Sequence, residues 1–87
     1  MSEHDIEARL RDLLADVLAL SPSTAASLDR ESPLFGALPE LDSMAVAGLL
    51  TEIEDRFGII IDDDEIDGEL FASFGNLADF ARSKIAA

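Results

Sequence analysis

The chain has 87 residues and a net charge of −13, from 19 acidic and 6 basic side chains. A domain of this size buries about 60–65% of the surface its unfolded chain exposes, which argues against a deep, enclosed active site. The charge repels nucleic acid and anionic membrane surfaces and draws in partners with basic patches, while the absence of cysteine excludes disulfides, thiolate metal sites and a cysteine nucleophile.

Hydrophobic residues make up 48% of the chain and aromatics 6%, a composition that favours an aliphatic helical core over a β-sandwich. The N-terminus Met1-Ser2-Glu3-His4-Asp5 is acidic and leads into no uninterrupted apolar run. Neither a signal peptide nor a membrane span is expected, and the cytoplasm is the expected compartment. Ile6, Leu10, Leu13, Leu14, Val17 and Leu18 recur every three or four residues, one face of a helix from about Glu3 to Leu20. Ser2 and Asp5 stand where a capping box would open it, and Glu7 and Arg11 fall on the face expected to be solvated.

From Ser21 to Asp42 the texture changes. Pro22, Pro33, Pro39 and Gly36 break any continuous helix, so this stretch reads as a long loop. Loops of more than about 15 residues are uncommon unless tied down or functional; burial of Leu28, Leu34, Phe35, Leu38 and Leu41 is expected to supply the ties. A second long helix is expected to begin at Ser43 or Met44 and end at Phe57, with Gly58 as a left-handed terminator. Val46, Leu50, Ile53 and Phe57 mark its expected buried stripe. Ile59-Ile60-Ile61 reads as an extended segment packed into the core, and Asp62 to Glu69 as one short helical turn pinned by Ile66. Ser73 is suited to cap a last helix from Phe74 to about Ile85, with Phe74, Leu77, Phe80 or Ala81 and Ile85 inward. The expected fold is all-α: a single four-helix domain over residues 1–87, three main helices and one short one, with the long loop between the first two.

The informative position is Ser43, one hydroxyl at the mouth of an amphipathic helix. A nucleophilic serine needs a general base and an oxyanion hole. Here the flanks are Asp42 and Met44, and the sole histidine, His4, sits on the charged N-terminal turn, so a hydrolase is not expected. An ordinary N-cap is one reading of Ser43. Val46 stands three residues on, where a capping box needs Glu or Gln, and Asp42 is able to share the cap. The alternative is an attachment point, since unpaired N–H groups and the positive end of the helix dipole favour an added phosphodiester.

The run Leu41-Asp42-Ser43-Met44, the Glu54-Asp55-x-Phe57 helix end, the acidic Asp62-Asp63-Asp64-Glu65 turn and the closing Phe71-x-Ser73-Phe74-x-x-Leu77 pattern resemble the acyl carrier protein family over most of the chain. The resemblance implies that Ser43, with Asp42 beside it, takes a covalent 4′-phosphopantetheine arm from a phosphopantetheinyl transferase. The arm would carry an acyl group as a thioester between an acyl-loading ligase or transferase and acyl-using enzymes with basic patches, and the protein itself would not be an enzyme. It further implies a partner-binding surface along the helix after Ser43, formed by Met44, Ala45, Gly48, Glu52, Glu54 and Asp55. An acyl chain would be sheltered by Val46, Leu50, Ile53, Ile61, Ile66 and Phe74, and the expected state is a monomer.

Acidity is uneven. Between Ser43 and Glu69 stand Glu52, Glu54, Asp55, Asp62, Asp63, Asp64, Glu65, Asp67 and Glu69 against the one base Arg56, which matches a surface for basic partners. Ala45 and Gly48 depart from the fatty-acid-synthesis members of the family, in which acids are common at those places. This departure points to a specialised lipid or secondary pathway, with Gly48 expected to permit close approach or an opening in the core. Leu38-Pro39-Glu40-Leu41-Asp42-Ser43-Met44 with the acidic turn also resembles carriers associated with bacterial exosortase and exopolysaccharide loci. Two other readings use the same scaffold: a carrier of an amino acid such as D-alanine, and an unmodified acidic interaction module. Asp63-x-Glu65-x-Asp67-Gly68 imitates the start of a calcium loop but has Glu65 at the third position and Phe74 at the twelfth, so no EF-hand is expected, and no metal site.

Overall fold

The N-terminal periodicity forms α1, Glu3–Leu18, in the computed structural model, which describes residues 3–35, 38 and 41–86. The side chains of Glu3, His4 and Ser43 lie outside that description, and Ser2 of the expected capping box lies outside the described residues. Ile6, Leu10, Leu13, Leu14 and Leu18 are buried as one stripe, each contributing about 1.5–3 kcal/mol of hydrophobic stabilisation; Val17 packs at its edge. The helix stops two residues earlier than expected. Ala19 turns left-handed, at φ 54°, and the Leu20 N–H reaches back to the Ala15 carbonyl, which swings Leu20 into the core.

The stretch expected to be a plain loop contains a five-residue helix, α2, Pro22–Ala26. Pro22 begins it rather than breaking it, because the first turn of a helix needs no proline N–H, and the Ser21 hydroxyl oxygen accepts from the Thr24 N–H at 3.2 Å. Leu28, Leu34 and Leu41 are buried and Leu38 packs against the core. Phe35 is not one of the ties: its ring is 56% exposed, while its N–H bonds to the Phe71 carbonyl. Pro39 and Gly36 lie outside the described residues. The Glu7 and Arg11 face is also less solvated than expected. Arg11 donates Nε–H to the Leu28 carbonyl at 2.9 Å and stacks over the Phe74 ring, and Glu7 pairs with Arg30 at 3.5 Å, so this face fastens the loop to α1.

α3, Ser43–Phe57, closes on Gly58 in the left-handed conformation, φ 66°, as glycine readily does. Its innermost side chains are Leu49 and Ile53. Val46, Leu50 and Phe57, expected to form the stripe with Ile53, flank it half-buried, because α3 packs against α1 rotated by one residue from the expected face. Ile59 and Ile61 pack against the core, but Ile60 between them points outward, 74% exposed, as alternation in an extended segment requires.

Residues Asp63–Glu65 form a single 3-10 turn. Ile66 does not pin it, being 37% exposed; the turn is held between Asp62 and Glu65, the Asp62 N–H donating to Glu65 Oε1 and the Glu65 N–H to the Asp62 carbonyl, each at 3.0 Å. α4, Phe74–Ala86, starts as expected, with the Ser73 hydroxyl oxygen accepting from the Asn76 N–H at 3.1 Å. Phe74, Leu77, Ala78 and Ala81 are buried, while Phe80 and Ile85 are half-buried. The Phe74 and Gly75 N–H groups donate to the Ser32 and Arg30 carbonyls at 2.8 and 3.0 Å, so the long loop satisfies the start of α4.

The fold is all-α, and the described residues hold four α-helices and no strand. α1 lies against α2, α3 and α4, and α3 against α4. The short helix falls inside the loop between the first two long helices, whereas the segment expected to be the short helix is only the 3-10 turn.

Candidate functional site: the start of the third helix

Buried Leu34 and Leu41 anchor the loop on the core, and the chain then enters α3. The cap at this entrance is Asp42, in extended conformation, whose Oδ1 accepts from the Ala45 N–H at 2.8 Å; the Asp42 carbonyl takes the Val46 N–H at 2.9 Å. Ser43 is therefore the first helical residue and Asp42 is the N-cap. No acidic side chain occupies the first turn of α3. Its leading N–H groups and dipole end thus present a positive potential that a phosphodiester would satisfy.

The neighbouring positions divide by environment. Met44 is 86% exposed, an apolar side chain held out beside the helix entrance. Ala45 packs half-buried against the core, while Gly48 is exposed. Gly48 neither admits a close approach nor opens the core: a β-carbon built there meets nothing within 4 Å. Of the three expected docking acids, Asp55 faces solvent. Glu52 is half-buried and lies 3.8 Å from Arg56. Glu54 holds the following segment, its Oε2 accepting from the Ile61 N–H at 2.8 Å. The far end of α3 is further secured by Arg56, paired with Asp16 at 3.0 Å, and by Arg9, which donates to the Arg56 carbonyl and lies over the Phe57 ring.

An apolar cleft of about 200 Å³ opens between α3 and the segment leading to α4, lined by Phe35, Val46, Ile66, Asp67, Gly68 and Phe71. Val46 and Ile66 of the expected acyl-sheltering set line it. Ile53 and Phe74 lie fully buried in the core, and Leu50 and Ile61 pack half-buried against it, so none of these four borders the cleft. Phe35 and Phe71 are the lining residues that periodicity does not reveal. They stand on loops, joined by the bond from the Phe35 N–H to the Phe71 carbonyl; the usable signal is a pair of aromatics outside any helical stripe in a chain with few aromatics.

The family profile described as the phosphopantetheine attachment site matches residues 8–82. Among solved structures, the chain is similar to a holo acyl carrier protein from Nitrosomonas europaea determined by solution NMR. The two share 41% identity over 94% of this chain and 96% of the other, with a TM-score of 0.85. Comparison with curated proteins finds no match. The profile match over most of the chain and the likeness to a solved carrier define the class as a phosphopantetheine-bearing carrier, and the chain belongs to the acyl carrier protein family. It is a carrier rather than an enzyme, its cofactor is covalently attached 4′-phosphopantetheine, and it works with a phosphopantetheinyl transferase and acyl-handling enzymes. Among the described residues no helix is long and apolar enough to cross a membrane.

Proposed function

We propose that Ser43 carries the 4′-phosphopantetheine arm and that the cleft beside it receives the acyl group. The observation that carries this reading is the Asp42 cap: the role that would explain an ordinary serine at this helix start is filled by its neighbour, through the Asp42 to Ala45 hydrogen bond. When bound, the arm supplies a terminal thiol that holds an acyl group as a thioester. The chain's part is to orient and shelter. The first turn of α3 stabilises the phosphodiester charge, Met44 offers an apolar contact to an incoming enzyme, and the aromatic-lined cleft takes apolar cargo out of water.

The test is intact-mass measurement after co-expression with a broad-specificity phosphopantetheinyl transferase. Wild type is expected to gain the mass of one arm and Ser43→Ala none; no gain on wild type, or the same gain on the variant, would refute the assignment. An unmodified interaction module would keep its function in Ser43→Ala.

We read the uncharged surface of Met44, Ala47 and Gly48 as suited to partner enzymes of a specialised pathway rather than those of housekeeping fatty-acid synthesis. Support comes from the lack of acid in the first turn of α3 and the displacement of acidity toward Asp55 and residues 62–69.

A further inference from the structure

Residues 62–69 stand apart from the core: Glu65 is half-buried and all the others are exposed. The segment is open on two sides. Toward α3 lies the apolar cleft, and toward α4 a second hollow of about 250 Å³, bordered by residues including Glu65, Asp67, Glu69, Asn76 and Phe80. Asp67 borders both.

Point attachments hold the segment in place. At its entry the Glu54 carboxylate accepts from the Ile61 N–H. At its exit Leu70 and Phe71 are buried, and Asn76 donates Nδ2–H to the Glu69 carbonyl at 2.9 Å. Asp67 Oδ1 folds the last turn by accepting from the Glu69 and Leu70 N–H groups. At its middle Lys84 of α4 reaches Glu65, Nζ to Oε1, at 2.8 Å, and the same oxygen accepts from the Asp62 N–H at 3.0 Å. Glu65 thus shapes the turn and fastens it to α4 with one atom.

We infer that residues 62–69 form a strap across the cleft, latched to α4 by the Glu65–Lys84 ion pair, and that this latch sets the length of acyl chain the protein shelters. This rests on reading the cleft as the acyl site and Ser43 as the attachment point. The cleft's volume is somewhat larger than the roughly 150 Å³ that holds a benzene ring, so a short acyl chain fits the latched form and a long one does not. Val46 and Phe71 stand on anchored elements; Ile66, Asp67 and Gly68 form the wall that is free to move. A Cβ built on Gly68 meets nothing within 4 Å, so no neighbour packs against the wall at that position. Moving it outward separates one partly exposed ion pair, which is a weak restraint, and leaves the buried residues in place.

The test has two arms. In the unmodified full-length protein, amide hydrogen exchange is compared for wild type, Lys84→Met and Glu65→Gln. Met keeps the apolar stem of Lys, and Gln keeps an acceptor for the Asp62 N–H. The Glu65 and Ile66 amides, which donate to the Asp62 and Asp63 carbonyls, should exchange about two- to fivefold faster in both variants, with Leu10, Leu49 and Leu77 unchanged. Equal rates in all three proteins, or acceleration spread evenly over the molecule, would overturn the latch. In the second arm the proteins carry butyryl or dodecanoyl thioesters, and the Val46 methyl and Phe71 ring shifts are recorded. Butyryl should shift them alike in wild type and Lys84→Met, whereas dodecanoyl should shift them more in Lys84→Met. An equal dodecanoyl response overturns the control of chain length. A protein that takes no arm on Ser43 defeats the attachment reading, while the exchange arm still decides whether the latch exists.

Discussion

Gly48 and Gly75 both lie within helices, yet their surroundings demand opposite outcomes on gaining a methyl group. At Gly48 a β-carbon enters open space. Gly48→Ala is therefore expected to raise stability by about 1 kcal/mol, the difference in helix propensity, read as a higher urea midpoint at unchanged slope. At Gly75 the same β-carbon would stand 2.7 Å from the Arg30 carbonyl oxygen, which also accepts the Gly75 N–H. Gly75→Ala must push the loop off the start of α4 and should cost about 1–3 kcal/mol. A stabilising Gly75→Ala would mean that this backbone contact does not constrain the fold. The sequence offers little to separate the two residues: each is a glycine in an amphipathic run, and what distinguishes them is a carbonyl forty-five positions away.

At the scale of elements, the contact between the strap's turn and α4 joins two groups, Glu65 and Lys84, whose protonation is displaced. The hydrogen bond from the Lys84 ammonium, followed by that from the Asp62 N–H, holds the Glu65 carboxyl below the ordinary glutamate range, and the Glu65 carboxylate in turn raises Lys84. Asp62 and Asp64 also face Lys84 and act in the same direction. The contribution of Glu65 is therefore complete above the ordinary glutamate pKa and is lost as pH falls through its lowered folded value. That of Lys84 is complete below the ordinary lysine pKa and is lost as pH rises through its raised folded value. The Ile66 amide shift, followed from neutral into acid, should show an inflection below the ordinary glutamate value that disappears in Glu65→Gln. An inflection at the ordinary value would count against the pairing. Local signals made the long elements legible: the stripe from Ile6 to Leu18, the Gly58 terminator and the Ser73 cap all appear where the residues indicate. α2 was less legible because its start signals, Ser21 and Pro22, open a helix of only five residues, none of them buried. The strap's fastening was less legible still, since Glu65 and Lys84 are nineteen residues apart and each alone reads as an ordinary surface charge.

Across the whole molecule, charge and apolar surface are segregated around the start of α3. The negative field draws a basic partner from a distance, but the last contacts beside Ser43, the proposed attachment point, would be made to Met44, Ala47 and Gly48, which carry no charge. An enzyme that needs an acid at that place would find none. In a cell deprived of its housekeeping carrier, this protein is expected not to restore growth at normal efficiency, and Gly48→Glu, which adds an exposed acid to open space, should improve its use. Full rescue by wild type would remove the case for a specialised pathway. Periodicity and composition announced the helical core; the cleft, made by Phe35 and Phe71 on loops that meet only when folded, was beyond their reach.

The residues of the strap add no buried side chain to the molecule, for none of the buried hydrophobics lies between Ile53 and Leu70. Replacements there leave the core's packing intact and change only the outer wall of the cleft. With the cleft as the proposed acyl site, mutation of the strap is expected to alter cargo range nearly independently of foldedness, and lineages could diverge in what they shelter while inheriting the same scaffold.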